Sequence, residues 1–379
     1  MTSRERLMAM LERRPVDRPG VNFYEIGGFN IDPTDPDPFN IYNHPSWQPL
    51  LQLAEEQTDL IRMRPVRWVR PDGHPWHEFF TREVTFEGDA RFTRTTLRIA
   101  GRTMTQTDRR DKGLDTTWMV EHLLKDLDDL KAYLQLPDEV FDAEPDLSPF
   151  ASADEEVGER GIIMLDTEDP LCVAAQLFSM DTFTLIAYTE GALFHELLEK
   201  IARPLHARTE TVAREVPGHL WRIYGPEYAT EPYLPTPLFE EYVVRYTKPM
   251  LDAIKRYGGY PRVHCHGRIK HVLPHFVAMG ADATDPIEPP PQGDVHLANV
   301  RREFGKDLVL FGNIEVSDIE NLEPRDFEKV VTQALRDGTH GEGRGFVLMP
   351  TSCPYGREIS ARTMANYETM ARLTREWGG

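Results

Sequence analysis

Cysteine is scarce in this chain of 379 residues: Cys172, Cys265 and Cys353 are the whole set. An odd, sparse trio cannot build a disulfide framework, so reduced thiols are expected, with metal ligation among their uses. Positive charge is also short, and the formal net charge is -19. So acidic a chain lacks the basic surface needed to displace counterions from nucleic acid or to settle on anionic lipid, and both kinds of partner are excluded. No apolar run reaches the length a bilayer demands, and Met1-Thr2-Ser3-Arg4-Glu5-Arg6 leads into a charged amphipathic stretch, so the expected location is cytoplasmic. No internal repeat or low-complexity tract stands out.

Short apolar, β-branched or aromatic runs bounded by Gly, Pro, Asp or Asn are abundant, and such runs mark buried strands. Eight occur, at 20–25, 59–64, 160–166, 219–225, 260–265, 281–286, 308–313 and 345–350. Helical spacing fills the intervals. In 238–256, Phe239, Val243, Tyr246, Met250 and Ile254 recur every three or four residues, with Pro249 expected to kink the middle; in 325–336, Phe327, Val330, Val331, Ala334 and Leu335 form one stripe. Strand and helix alternating eight times predicts an α/β fold, a (β/α)8 TIM barrel with an N-terminal helix, ahead of an open doubly wound sheet. Residues 1–379 are read as one barrel domain. The stretch 74–158 breaks the rhythm: Glu83–Phe86 and Thr93–Ile99 predict a β-meander inserted over one barrel end, and 123–158 an acidic surface helix and loop.

Barrels place their chemistry where strands end, so the polar residues at those positions are the candidates. They are Tyr24-Glu25, Asp166 to Asp169, Tyr224 to Glu227, His264-Cys265-His266, Asp285 with Glu288, Asn313 with Glu315, and Ser352-Cys353. Residues two apart on a strand share a face, so His264 and His266 point together while Cys265 turns to the helix layer. With Cys353 reaching across the mouth, two imidazoles, a thiolate and one open position suit catalytic zinc; the other reading of the pair is hydrogen-bonded core histidines. Glu25, Asp166, Glu227 and Glu288 are the candidate acids, bases or fourth metal ligand, although strand-end acids also cap helices. Arg62, Arg64, Arg67 and Arg70 either bind an anionic substrate group or pair with local Asp and Glu.

With these residues assembled, the chain resembles the uroporphyrinogen decarboxylase superfamily, which includes cobalamin-dependent methyltransferases and O-demethylases. The resemblance runs from Arg4-Glu5-Arg6 and Asp17-Arg18-Pro19 through Phe183 to Tyr188, Gly258-Gly259 with His264 to Gly267, and Gly280 to Ala283. It continues in Phe304-Gly305-Lys306, Phe311 to Ile314 and Ser352-Cys353-Pro354. True decarboxylases of the superfamily carry Arg-Gln-Ala-Gly-Arg after the first strand, whereas this chain reads Tyr24-Glu25-Ile26-Gly27-Gly28-Phe29. An acid there would repel a polycarboxylate. The zinc methyltransferase branch carries His-X-Cys and a later Cys, matched here by His264 and Cys353 but with His266 at the middle position.

The resemblance therefore implies a methyltransferase of O-demethylase type. Zinc on His264, His266 and Cys353 would act on a small methyl ether or thiol, and the methyl group would pass to or from a corrinoid (cobalamin) on a partner protein. Imidazole in place of thiolate donates less charge and leaves the metal more electrophilic. Two rivals are a metal-free decarboxylase-like lyase and a non-catalytic barrel that binds a corrinoid or tetrapyrrole.

Overall fold

Eight parallel strands carry the fold in the computed structural model, which describes residues 1–377. They are β1 (Gly20–Val21), β2 (Leu60–Pro65), β3 (Gly161–Glu168), β4 (Leu220–Tyr224), β5 (Tyr260–His264), β6 (Ala283–Asp285), β7 (Val309–Ile314) and β8 (Phe346–Pro350). The hydrogen-bonded order is β1-β8-β7-β6-β5-β4-β3-β2, the succession of a TIM-barrel-like sheet curled so that first and last strands approach. Near-continuous apolar runs such as Ile162 to Leu165 and Val347 to Met349 are buried on both faces, as parallel strands under a helix layer must be.

Where β1 meets β2 no ladder is recorded, and a buried acid carries the seam instead. The Asp59 carboxylate accepts from the Val21 amide at 2.9 Å, while the Asp59 amide donates to the Val21 carbonyl at 2.7 Å. Arg6 and Arg18 hold the same carboxylate at 2.6 and 2.9 Å. Arg6 comes from the helix Ser3–Leu11, which opens with a capping box formed by Thr2 and Glu5. The N-terminal helix and the Asp-Arg turn thus close the barrel.

The first strand is shorter than its apolar run predicts. Tyr24 takes a positive φ of 59° and its amide donates to the Asn22 side chain, so the chain turns away after Val21 and delivers Glu25 on a loop. The expected continuous helix at 238–256 is interrupted: a π-helical segment, Glu240–Val244, precedes the α-helix Arg245–Arg256 that contains Pro249. Pro249 has no amide hydrogen to give one turn back to Arg245, and the irregularity lies in the π-helical turn before it, while the α-helix continues through Pro249 itself. The helix Pro324–Thr339 follows its predicted stripe.

Between β2 and β3 stands an antiparallel four-stranded sheet, Phe80–Glu87, Ala90–Ile99, Arg102–Asp111 and Thr117–Glu121. Its second hairpin closes through Ala100-Gly101, both at positive φ, the geometry a two-residue turn needs to match strand twist. The Asp115 amide donates to the Tyr355 carbonyl at 2.9 Å and Tyr42 donates to the Asp115 carboxylate at 2.7 Å, so this sheet lies against loops at the strand-end side. The acidic run is less solvated than its composition suggests. In the helix Leu127–Tyr133, Leu130 and Tyr133 are buried and Asp129 accepts from Arg102 at 2.7 Å; a further helix, Ser148–Val157, replaces the expected loop. Among the described residues no helix is long and apolar enough to cross a membrane.

Candidate active site

Inside the barrel the strands contribute charge where apolar layers are usual. Arg262, two residues before His264 on β5, points to the same side and is 1 % exposed. Its guanidinium grips Asp285 of β6 through two bonds of 2.5 and 2.6 Å and lies 4.5 Å from the Phe311 ring centre. Asp285 also accepts from Nδ1 of His264 at 2.7 Å. A carboxylate only accepts, so His264 carries its proton on Nδ1 and turns a bare Nε2 lone pair outward. Burial, against the pull of Asp285, lowers the His264 imidazole to about 4, and it is therefore neutral at physiological pH. Asp285, despite its burial, is held far below the usual carboxylate range by Arg262 and His264.

A second buried pair lies beside the first. Arg222 of β4 donates to both oxygens of Asp166 on β3, at 2.6 and 2.8 Å, and to the Tyr24 hydroxyl. Tyr24 in turn stacks near His264, ring centres 6.0 Å apart. Asp166 is thereby engaged on both oxygens.

His266 is the outer member of the pair, its ring centre 4.7 Å from that of His264. Its Nδ1 bonds Glu288 at 2.9 Å, and the Glu288 carboxylate also accepts from the Gly267 amide at 2.6 Å. Burial works to lower the His266 imidazole, but Glu288, Glu227 and Asp285 together raise it above its ordinary value. Cys265 turns away, fully buried, as the strand alternation predicts. Cys353 is buried too; its thiol donates to the Phe23 carbonyl at 3.6 Å, and burial pushes it well above the ordinary thiol range.

The structure thus brings His264 and His266 together and leaves Cys353 engaged with the chain after β1. Among the described residues no three His, Cys, Asp or Glu side chains are grouped as they would be to hold a metal ion. The donor chemistry nonetheless fits one: each imidazole is oriented through Nδ1 by a carboxylate, the arrangement that metal-ligating histidines adopt, and neither Nε2 makes a hydrogen bond among the described residues. All three cysteines are free.

Around the pair stand carboxyl groups that join no ion pair among the described residues. Burial raises Glu25 to about 7 against the pull of Arg222, and Glu227 is raised by burial as well. Glu315, after β7, is raised to about 7 by burial and by Glu288. One buried oxygen on each of Glu227 and Glu315 has no hydrogen-bond partner. The basic run divides: Arg62 pairs with Glu55 at 2.7 Å and Arg67 with Asp146, while Arg64 donates to the Gly28 and Met63 carbonyls and Arg70 lies 5.7 Å from the Trp76 ring centre. Arg222 and Arg262 went unnoticed in the sequence. Their signal was the two-residue step back from His264 and the matching place in the neighbouring strand.

Fold and site together define a TIM-barrel-like protein with a polar, carboxylate-rimmed mouth. The chain belongs to the uroporphyrinogen decarboxylase (URO-D) family, whose model matches residues 120–360. Among solved structures it is similar to a methyltransferase from Methanosarcina mazei, with a TM-score of 0.62 at 14% identity over 100% of both chains. It also aligns with a Bacteroidetes-affiliated GH5 cellulase at a TM-score of 0.34 and 10% identity, over 62% of this chain and 76% of that one. No curated protein sequence matches it significantly.

Proposed function

We propose that the chain is a zinc-dependent methyltransferase of O-demethylase type, which moves a methyl group between a small methyl ether or thiol and a corrinoid carried by a partner protein. The observation that carries this reading is the pair of imidazoles, each held through Nδ1 by its own carboxylate and each with Nε2 unengaged. The fold is also similar to that of the Methanosarcina mazei methyltransferase, which supports this reading. Decarboxylation of a polycarboxylate is disfavoured by charge: Arg222 and Arg262 are already bound to Asp166 and Asp285, and Glu25, Glu227 and Glu315 would repel such a substrate.

His264, His266 and Cys353 would hold the metal, with Cys353 leaving the Phe23 carbonyl and giving up its proton. Zinc there would supply Lewis acidity toward the heteroatom that loses or gains methyl. The chain's own residues do the rest. Arg262 and Asp285 keep His264 neutral and aimed, and Glu288 does the same for the orientation of His266. Glu25, a partly buried carboxyl group with raised proton affinity, is suited to hold a proton for the leaving heteroatom, and Glu227, whose Oε2 has no donor among the described residues, to receive one from the bound substrate. Asp166 acts through Arg222, which it fixes beneath Tyr24.

Elemental analysis of protein purified without added metal, together with methyl transfer to a cobalt(I) corrinoid protein, tests the reading. One zinc per chain is expected, with both zinc and activity lost in His264→Ala. Asp285→Asn should weaken zinc binding roughly 10- to 100-fold. Protein without zinc, or full activity in His264→Ala, overturns the assignment, and tight corrinoid binding without any methyl transfer favours a binding protein instead.

A further inference from the structure

The mouth holds more carboxyl groups than the cations of the described residues pair with. Arg222 is paired with Asp166, Arg262 with Asp285, and His266 with Glu288. Glu25, Glu227 and Glu315 all lie within Coulombic reach of His266, yet among the described residues none of the three joins an ion pair.

Two of these acids are also short of hydrogen bonds. Glu315 is only 8 % exposed; one oxygen accepts from Thr351 at 3.3 Å, and the other is buried with no donor. Glu227 buries Oε2 in the same unpartnered state. Buried polar groups in folded proteins are nearly always bonded, and an ionised carboxylate oxygen can only be satisfied by a donor. Glu227 follows β4 and Glu315 follows β7, so the two acids stand on different parts of the rim.

We propose that the small molecule bound at this mouth carries a protonated amine or amidine, whose N–H groups are received by Glu315 and Glu227. An ammonium offers three donors and an amidinium a planar set of N–H groups; either supplies the missing hydrogen bonds together with a counter-charge for the carboxylates that accept them. A neutral ether supplies neither. The inference rests on the methyl-transfer reading only in taking the occupant to be the substrate; the cation subsite follows from the unpartnered carboxylates.

The test uses the full chain and two probes of similar size, 2-methoxyethylamine, charged at neutral pH, and 2-methoxyethanol, which is not. Calorimetry should show the amine bound at least about tenfold more tightly, and most of that preference should vanish in Glu315→Gln and again in Glu227→Gln. Circular dichroism and thermal melting establish that each variant is folded, and Glu315→Asp, which keeps the charge, should retain part of the preference. Equal binding of the two probes, binding of neither at millimolar concentration, or a preference unchanged in both Gln variants overturns the proposal. Amine binding without methyl transfer to a corrinoid protein leaves the subsite standing and removes the methyltransferase reading. Methyl transfer from the neutral ether as readily as from the amine does the reverse.

Discussion

The inner and outer halves of the barrel mouth treat charge in opposite ways. Below, Asp285 receives Arg262 and His264, and Asp166 receives both arms of Arg222; the carboxylates and cations are matched. Above, Glu227 and Glu315 keep oxygens for which the chain provides no donor. A matched buried pair is expensive to break and holds its neighbours in place, whereas an unmatched acid is costly while empty and is relieved by a ligand. The lower tier therefore fixes geometry and the upper tier is left for chemistry.

Breaking the lower tier should have the largest effect. Asp285→Ala strands Arg262 without a counter-charge and frees His264, and a loss of about 3–5 kcal/mol in chemical denaturation is expected. A loss below about 1 kcal/mol would mean the pair is not load-sharing with the fold as described.

Asp169 lies between the two tiers in character. It is fully buried, caps the helix Pro170–Gln176 through the Cys172 amide at 2.7 Å and accepts from Thr247 at 3.2 Å, but has no cation; burial raises it to about 8. Its folded pKa lies above the unfolded one, so its contribution is complete below the ordinary carboxylate range and is lost as pH rises toward 8. Melting temperatures taken from about pH 4 to pH 8 should therefore fall less steeply in Asp169→Asn than in the parent chain. Parallel slopes would show that the group is ionised throughout.

A smaller change is expected in the upper tier. Glu315→Gln keeps the shape and removes an uncompensated charge, so stability should stay within about 1 kcal/mol of the parent or rise slightly. A larger loss would place Glu315 among the structural acids and erase the contrast between tiers. Least of all should follow from the outer face of the inserted sheet, where Val84 and Phe86 are exposed; Val84→Thr should shift unfolding by no more than about 0.5 kcal/mol.

Much of this organisation was legible in the residue pattern. The eight strands lie where apolar runs are bounded by Gly, Pro and Asp, because strand formation there follows from local composition and burial on both faces. The opposite facing of Cys265 and its flanking histidines also follows from the two-residue repeat alone. The strand-end inventory contained Asp285, Glu288 and Glu315, but nothing in it said which of them would be bound. Tyr24 was legible as a strand-end residue, and its turn out of the strand was not, because that depends on the Asn22 side chain.

Composition and periodicity by themselves determined the succession of strands and the strand end at which His264 and His266 meet. Only the tertiary structure decided which acid meets which base. Arg222 finds Asp166 across a sequence separation of 56 residues and Arg262 finds Asp285 across 23, through strand register that no local pattern encodes. The same register turns the Cys353 thiol toward Phe23 and leaves one carboxyl oxygen each of Glu227 and Glu315 without a donor among the described residues. Local periodicity sets the face a side chain occupies, while its partner is set by how separate strands align when the barrel closes.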